Sequence, residues 1–173
     1  MQLVSQPGKL LSSVLAELGL DGEVHSPGAA TVHAGDVEFR IRQQVERHFL
    51  MRIEVAEFEA SVPVTGEAGR IELGHRGGRR RAGVTARPRP DRADLQDIAD
   101  RLLGSEEFHS AFLPLDAKTA VLQVGRDSSR AIIRHVGFSR VLMVFPPTKR
   151  YVSAGADQAK ALIDTLSVLA RFS

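Results

Sequence analysis

Seven arginines crowd into one short stretch of this sequence, GHRGGRRRAGVTARPRPDR at positions 74–92. A guanidinium group pairs bidentately with phosphate or carboxylate oxygens, and glycine lets the backbone approach such an anion closely. The stretch therefore offers one candidate anion site, with Arg79, Arg80 and Arg81 at its centre. It holds no aromatic residue for base stacking, and its glycines and prolines rule out a helix that reads a groove. We expect a solvated basic loop first; the alternatives are non-specific contact with a polyanion and contact with a protein partner or a small anion.

A second group of cations lies near the C-terminal end, in PPTKRY at positions 146–151. Lys149, Arg150 and Tyr151 follow two prolines, and Arg140 comes before them across one predicted strand. If Arg140 and Arg150 converge, they can hold a carboxylate or phosphate, with Tyr151 as a hydrogen-bond donor or lid. The alternative is that Tyr151 covers the edge of the core while Arg150 pairs with an acidic residue.

The charge of the chain is unevenly distributed. The stretch 74–92 contains seven of the 23 basic residues and one of the 21 acidic residues, so the rest of the chain is mildly acidic. A broad nucleic-acid surface would spread its basic residues over several elements. The uneven charge therefore argues against a broad nucleic-acid surface and confines the excess of basic residues to one segment.

Signatures of catalysis are missing from the sequence. It has no phosphate-binding GxxxxGK loop, no GxGxxG, no HExxH and no GxSxG. It has no cysteine, and no two of its six histidines are four residues apart, so we expect neither a metal nor a cofactor. These observations favour a non-catalytic binding or interaction domain. The alternative is a small-molecule enzyme or ligand carrier whose site is built from dispersed residues.

The spacing of apolar residues predicts the elements that must position these groups. Leucines and valines at helical spacing predict a first helix that ends at Gly19, and DGEVHSPGAA is typical of a loop. From Thr31 to Arg87 the period changes to two, which predicts strands with one wet face. Strands thus come in runs, and we expect an α+β fold: a mainly antiparallel sheet of about six to eight strands with an N-terminal, a central and a C-terminal helix.

The second half repeats this mixture of helices and strands. Asp91 is placed to cap the central helix, which ends at Gly104, and Ser105 is placed to cap a short one after it. Strands are predicted at TAVLQVG, RAIIRHV and RVLMVF, with Arg126–Val136 open between strand and helix, and a last helix over 157–172. The alternation places six residues inside: Phe39, Ile41, Ile53, Val55, Val144 and Leu162.

Length and composition set the remaining expectations. At 173 residues we expect one domain over 1–173, with a basic flexible loop at about 74–92. The first residues lack the pattern of a secretory signal, and no apolar run approaches the roughly 20 residues that span a bilayer. We therefore expect a cytoplasmic protein with no membrane partner, and the sequence leaves the oligomeric state open.

One resemblance concerns the C-terminal part. The stretches VGFSRVLMVFPPTKRYV and DQAKALIDTLSVLARF resemble the end of an uncharacterised bacterial domain-of-unknown-function family. The resemblance covers about the last 40 residues and includes no catalytic motif. It implies a small bacterial protein with no assigned activity, and it carries over no site residue.

Overall fold

The computed structural model describes residues 8–77 and 82–173 of the chain. Within those ranges the helices are α1 (Lys9–Leu18), α2 (Ala93–Gly104), α3 (Glu106–Phe112) and α4 (Ala156–Arg171). The strands are β1 (Gly22–Ser26), β2 (Ala29–Ala34), β3 (Val37–His48), β4 (Met51–Val62), β5 (Gly69–Arg76), β6 (Gly83–Arg89), β7 (Ala117–Val124), β8 (Ser129–Met143) and β9 (Thr148–Val152). Every strand pair is antiparallel, which confirms the predicted α+β class with an antiparallel sheet.

The nine strands form one sheet in the order β1-β2-β3-β4-β8-β7-β5-β6, and β9 pairs with β8 outside that path. β8 is the longest strand, at 15 residues. Its first half pairs with β7 and its second half with β9, while β4 runs along its other side. The second half of β8, with β9 and the facing parts of β3 and β4, extends beyond the body of the sheet.

The two faces of the sheet differ in chemistry. On one face Phe39, Ile41 and Phe58 are buried, and they join Leu162 of α4 in one apolar core. The other face carries charged side chains in cross-strand pairs, which is the expected pattern for an antiparallel sheet with one wet face. The period-two pattern identified the core face correctly in β3. In β4 the core face carries Ala56 and Phe58, so Ile53 and Val55, which the pattern placed in the core, lie on the opposite face.

Three local predictions were wrong. The N-cap residue of α2 is Arg92, not Asp91, and no side chain caps that end. DGEVHSPGAA contains strand β1, an edge strand with both faces largely exposed, so no apolar alternation marks it in the sequence. RAIIRHV and RVLMVF belong to the single strand β8, which also settles Arg126–Val136 in favour of strand from Ser129 onward. Ser105 does cap α3, since its hydroxyl accepts a hydrogen bond from the Phe108 amide.

The predicted interior also needs correction. Phe39, Ile41, Val55 and Leu162 are buried, as predicted, but Ile53 is only half-buried. Val144 is 42% exposed, so its predicted burial is wrong. Val144 is two residues after the buried Leu142 and continues the same period-two pattern, but the helices no longer cover the sheet at this point. The sequence pattern does not show where the covered part of the sheet ends.

The basic stretch 74–92 is not one continuous loop. Its first residues complete β5, and Gly83–Arg89 form β6, which pairs with β5 from Arg76↔Gly83 to Arg70↔Arg89. Arg79, Arg80 and Arg81, the centre of the first candidate anion site, lie outside the described residues.

A local irregularity in β8 fixes the strand against α4. Phe138 adopts a left-handed backbone with φ of 50°, and the Gly137 amide donates a hydrogen bond of 2.8 Å to His135 Nδ1. His135 Nε2 lies 2.9 Å from Gln158 Oε1, so the ring connects the irregular backbone to α4. A Cβ atom on Gly137 would lie 2.6 Å from the backbone Cα of Ala154. Only glycine fits this approach.

We expect Gly137→Ala to lower the free energy of unfolding by about 1–3 kcal/mol, because backbone must move to admit the methyl group. Gly104→Ala is the matched control, since a Cβ there meets no atom within 4 Å. Urea denaturation of both variants checks this expectation. Equal midpoints for the two variants would show that the chain near Ala154 yields without cost.

Candidate interaction surface

Arg140 lies in the sheet between two polar neighbours. It is opposite Glu54 on β4 and opposite Tyr151 on β9, and it is 9% exposed. Its Nη1 atom lies 3.8 Å from Glu54 Oε2, and Arg52 Nη2 lies 3.4 Å from Glu54 Oε1. A buried carboxylate between two guanidinium groups offsets part of their desolvation cost. Arg140 is therefore engaged inside the protein.

Tyr151 and the loop after it hold the side chain of Glu17 from α1. The Tyr151 hydroxyl donates to Glu17 Oε2 at 2.5 Å. Glu17 Oε1 accepts three hydrogen bonds of 2.7 Å, from Ser153 Oγ and the amides of Ala154 and Gly155. Partial burial opposes ionisation of Glu17, but these hydrogen bonds outweigh it and hold the pKa of the carboxyl below its usual 4.5. Burial, together with the Glu17 charge, raises the pKa of Tyr151 far above its usual range.

The structure does not bring Arg140 and Arg150 together. Arg140 is opposite Tyr151, whereas Arg150 is opposite Val141, the next residue of β8. Successive side chains of a strand point to opposite faces, so the two arginines lie on different faces of the sheet. Lys149 and Arg150 are both exposed. They lie beside a different feature, the end of the sheet extension.

Two hairpin turns meet at that end. The β3–β4 hairpin turns at Phe49 and Leu50, and the β8–β9 hairpin turns between Met143 and Thr148. The Val144 amide donates a hydrogen bond of 2.9 Å to the Leu50 carbonyl oxygen, so the two turns are adjacent. We call residues 47–50 and 144–150 the hairpin-tip surface. Every one of these residues is exposed.

Four apolar side chains are exposed on the hairpin-tip surface. Phe49 is 97% exposed, Phe145 77%, Leu50 47% and Val144 42%. Two-residue hairpin turns favour glycine, asparagine and aspartate, so turn formation gives no reason for Phe49 and Leu50 at these positions. Single exposed apolar residues are ordinary on protein surfaces, but a contiguous group of them marks a contact site.

Three basic residues lie beside these apolar side chains. Arg47, Lys149 and Arg150 are exposed, and in the part of the chain that the structure describes none of them forms an ion pair. The sequence has no aspartate or glutamate in 47–53 or 141–153. The hairpin-tip surface therefore combines exposed apolar residues at the turns with basic residues in the strands that lead to them.

One cleft lies on the outer face of the sheet and is lined mainly by polar residues. The cleft on the outer sheet face has a volume of about 500 Å³ and is lined by residues that include Glu38, Arg40, Glu59, Ser61 and Arg130. Glu59 lies 3.4 Å from Arg130 Nη1 and 3.7 Å from Arg42 Nε, so these charges neutralise one another. Among the described residues, no group of three histidine, aspartate or glutamate side chains could hold a metal ion.

Comparison with protein-family models matches residues 15–173 to the family described as "Protein of unknown function (DUF3156)". The chain belongs to the DUF3156 family. The expected membership of a domain-of-unknown-function family is thus confirmed, and over far more of the DUF3156 chain than the C-terminal stretches that suggested it. No curated protein and no solved structure matches the chain. None of the helices described in this DUF3156 protein is long and apolar enough to cross a membrane.

The Glu17 contacts predict a pH dependence of stability. Because the folded-state pKa lies below the ordinary value of 4.5, the stabilising contribution is complete above pH 4.5 and is lost as pH falls through the folded-state pKa. Glu17→Gln should lower the free energy of unfolding at pH 7 by about 1 kcal/mol, a small value because solvent screens this half-exposed group.

Urea denaturation at pH 7 and at pH 3 measures this effect. The difference between wild type and Glu17→Gln should shrink at the lower pH, while Glu23→Gln, which removes a carboxylate whose side chain is 83% exposed on a strand, serves as the control. A difference that stays constant between the two pH values would show that Glu17 is not held as an ionised acceptor.

Proposed function

We propose that this DUF3156 protein is a non-catalytic binding domain that contacts an anionic partner through its hairpin-tip surface. The observation that carries the proposal is the exposure of Phe49 and Phe145 beside three basic residues that form no ion pair within the described residues. The side chains of Phe49 and Phe145 contribute little to the stability of the fold, because most of their surface stays in water. They gain free energy only when another surface covers them.

The sign of the partner's charge follows from the basic residues of the hairpin-tip surface. Arg47, Lys149 and Arg150 are not neutralised within the described residues, so an acidic surface brought against them would gain Coulomb energy as water is excluded. A cationic surface would be repelled. Arg79, Arg80 and Arg81 lie outside the described residues. On the sequence alone, as three consecutive guanidinium groups, we propose them as a second, independent point of contact with anions.

The enzyme or ligand-carrier alternative requires a deep, largely apolar pocket with convergent titratable groups. The outer-face cleft is polar and its charged residues pair with one another. The buried Arg140 and Tyr151 are occupied by Glu54 and Glu17. These observations favour the binding domain.

Elution from immobilised heparin, a generic polyanion, tests the proposal. The variant Arg47→Ala/Lys149→Ala/Arg150→Ala should elute at lower salt than wild type, because each lost contact with the polyanion reduces the release of bound counterions. The matched control is Arg42→Ala/Arg70→Ala/Arg101→Ala, which also removes three charges but takes them from existing ion pairs.

The control should elute closer to wild type than the hairpin-tip variant. Elution of the two triple variants together would contradict the proposed role of the hairpin-tip surface, because net charge alone would then explain retention. A third variant, Arg79→Ala/Arg80→Ala/Arg81→Ala, reports separately on the basic stretch. We expect it also to elute earlier than the control.

A further inference from the structure

We propose that the anionic partner is a phospholipid bilayer, into whose interface the DUF3156 protein inserts the apolar residues of its hairpin-tip surface. This inference rests on the proposed function and names the partner of the same surface. Phe49, Leu50, Val144 and Phe145 would lie among the headgroups and upper acyl chains, with Arg47, Lys149 and Arg150 at the level of the phosphates. An attachment of this kind needs no spanning helix, so the lack of an apolar run long enough to cross a bilayer does not bear on it.

The shape of the surface favours a bilayer over a folded protein. The apolar side chains stand at the end of two adjoining turns, and each turn is the furthest point of its hairpin. A protruding point of this kind needs either a matching pocket or a deformable medium. Lipid supplies the second without any complementary shape, and aromatic rings are favoured at the boundary between headgroups and acyl chains.

The order of residue types along each hairpin matches the polarity of an interface. In the first hairpin the apolar turn follows Arg47 and His48, and in the second it precedes Lys149 and Arg150. In both hairpins, therefore, apolar residues form the turn and basic residues lie in the adjoining strand. Long basic side chains can extend along the apolar surface and keep their charged groups in the phosphate layer.

The rest of the sheet extension suits this orientation. The acidic residues nearest to the tip along β3 and β4 are Glu46 and Glu54. Glu46 pairs with Lys118 at 3.2 Å, and Glu54 is buried against Arg52 and Arg140. Neither carboxylate therefore presents an uncompensated negative charge to an anionic membrane.

A single tryptophan reports insertion directly, because the natural chain contains none. Phe49→Trp should show a blue shift of emission, and quenching by brominated acyl chains, with vesicles of phosphatidylcholine and 30% phosphatidylglycerol. Val136→Trp is the matched control, since Val136 is also exposed, at 63%, but lies in β8 away from the tip. Its emission should not change.

Sedimentation with the same vesicles measures the affinity. Phe49→Ser/Phe145→Ser should lower the partition coefficient at least tenfold. Val24→Ser/Val136→Ser, which changes two exposed apolar residues elsewhere, should leave it unchanged. Each alanine at Arg47, Lys149 or Arg150 should cost about fivefold, and pure phosphatidylcholine should bind weakly. Unchanged melting temperatures would show that the variants remain folded.

Several outcomes would overturn the bilayer proposal. If heparin retention depends on the hairpin-tip cations but neither vesicle binds, the proposed function stands and the partner is a non-lipid polyanion. Vesicle binding that is equal for wild type and Phe49→Ser/Phe145→Ser would show that charge acts without insertion. A dimer in sedimentation velocity that is lost in Phe49→Ser/Phe145→Ser, with no vesicle binding, would assign the surface to a second copy of the chain.

Discussion

β8 has to satisfy the hydrogen bonds of its backbone on both sides over 15 residues, and the rest of the architecture follows from how it does so. On one side β4 pairs with both ends of β8, at 129–134 and at 139–143, and the register shifts between them, at 135–138. On the other side β7 covers only the first half, so β9 folds back to cover the second. The irregularity between these halves, at Gly137 and Phe138, brings the chain close to Ala154 and hence to the start of α4.

Glu17 and His135 connect the sheet extension and its base to the helices, and a buried ion pair joins two strands of the extension itself. Glu17 of α1 accepts hydrogen bonds from Tyr151 and the residues that follow β9. Arg140 and Glu54 form a buried ion pair across β8 and β4. His135 contacts Gln158 of α4, whose amide also donates to the Pro114 carbonyl oxygen at 2.8 Å. Polar contacts therefore hold the base of the extension, while none of the residues at its tip belongs to the hydrophobic core.

The sequence predicted the fold class because the period-two pattern around Phe39 and Ile41 and the helical face around Leu162 are strong local signals. The hairpin-tip surface could not be predicted in the same way. Alternation marks Val144 as inward, and only the tertiary position of the helices shows that nothing covers it. The one available signal was Phe49 and Leu50 between two alternating stretches, where a turn favours small polar residues. Arg150 and Arg140 failed to converge because strand register, which sequence leaves open, puts them on opposite faces.

The hydrogen bond from the Val144 amide to the Leu50 carbonyl has a consequence for how this family can diversify. It joins the two turns through main-chain atoms alone, and main-chain atoms are the same whatever side chains they carry. This link between the two turns therefore does not depend on the side chains that the turns carry. Exchange of the exposed Phe49 and Phe145 side chains therefore leaves this link in place, and a family member that differs at these two positions can keep the same junction.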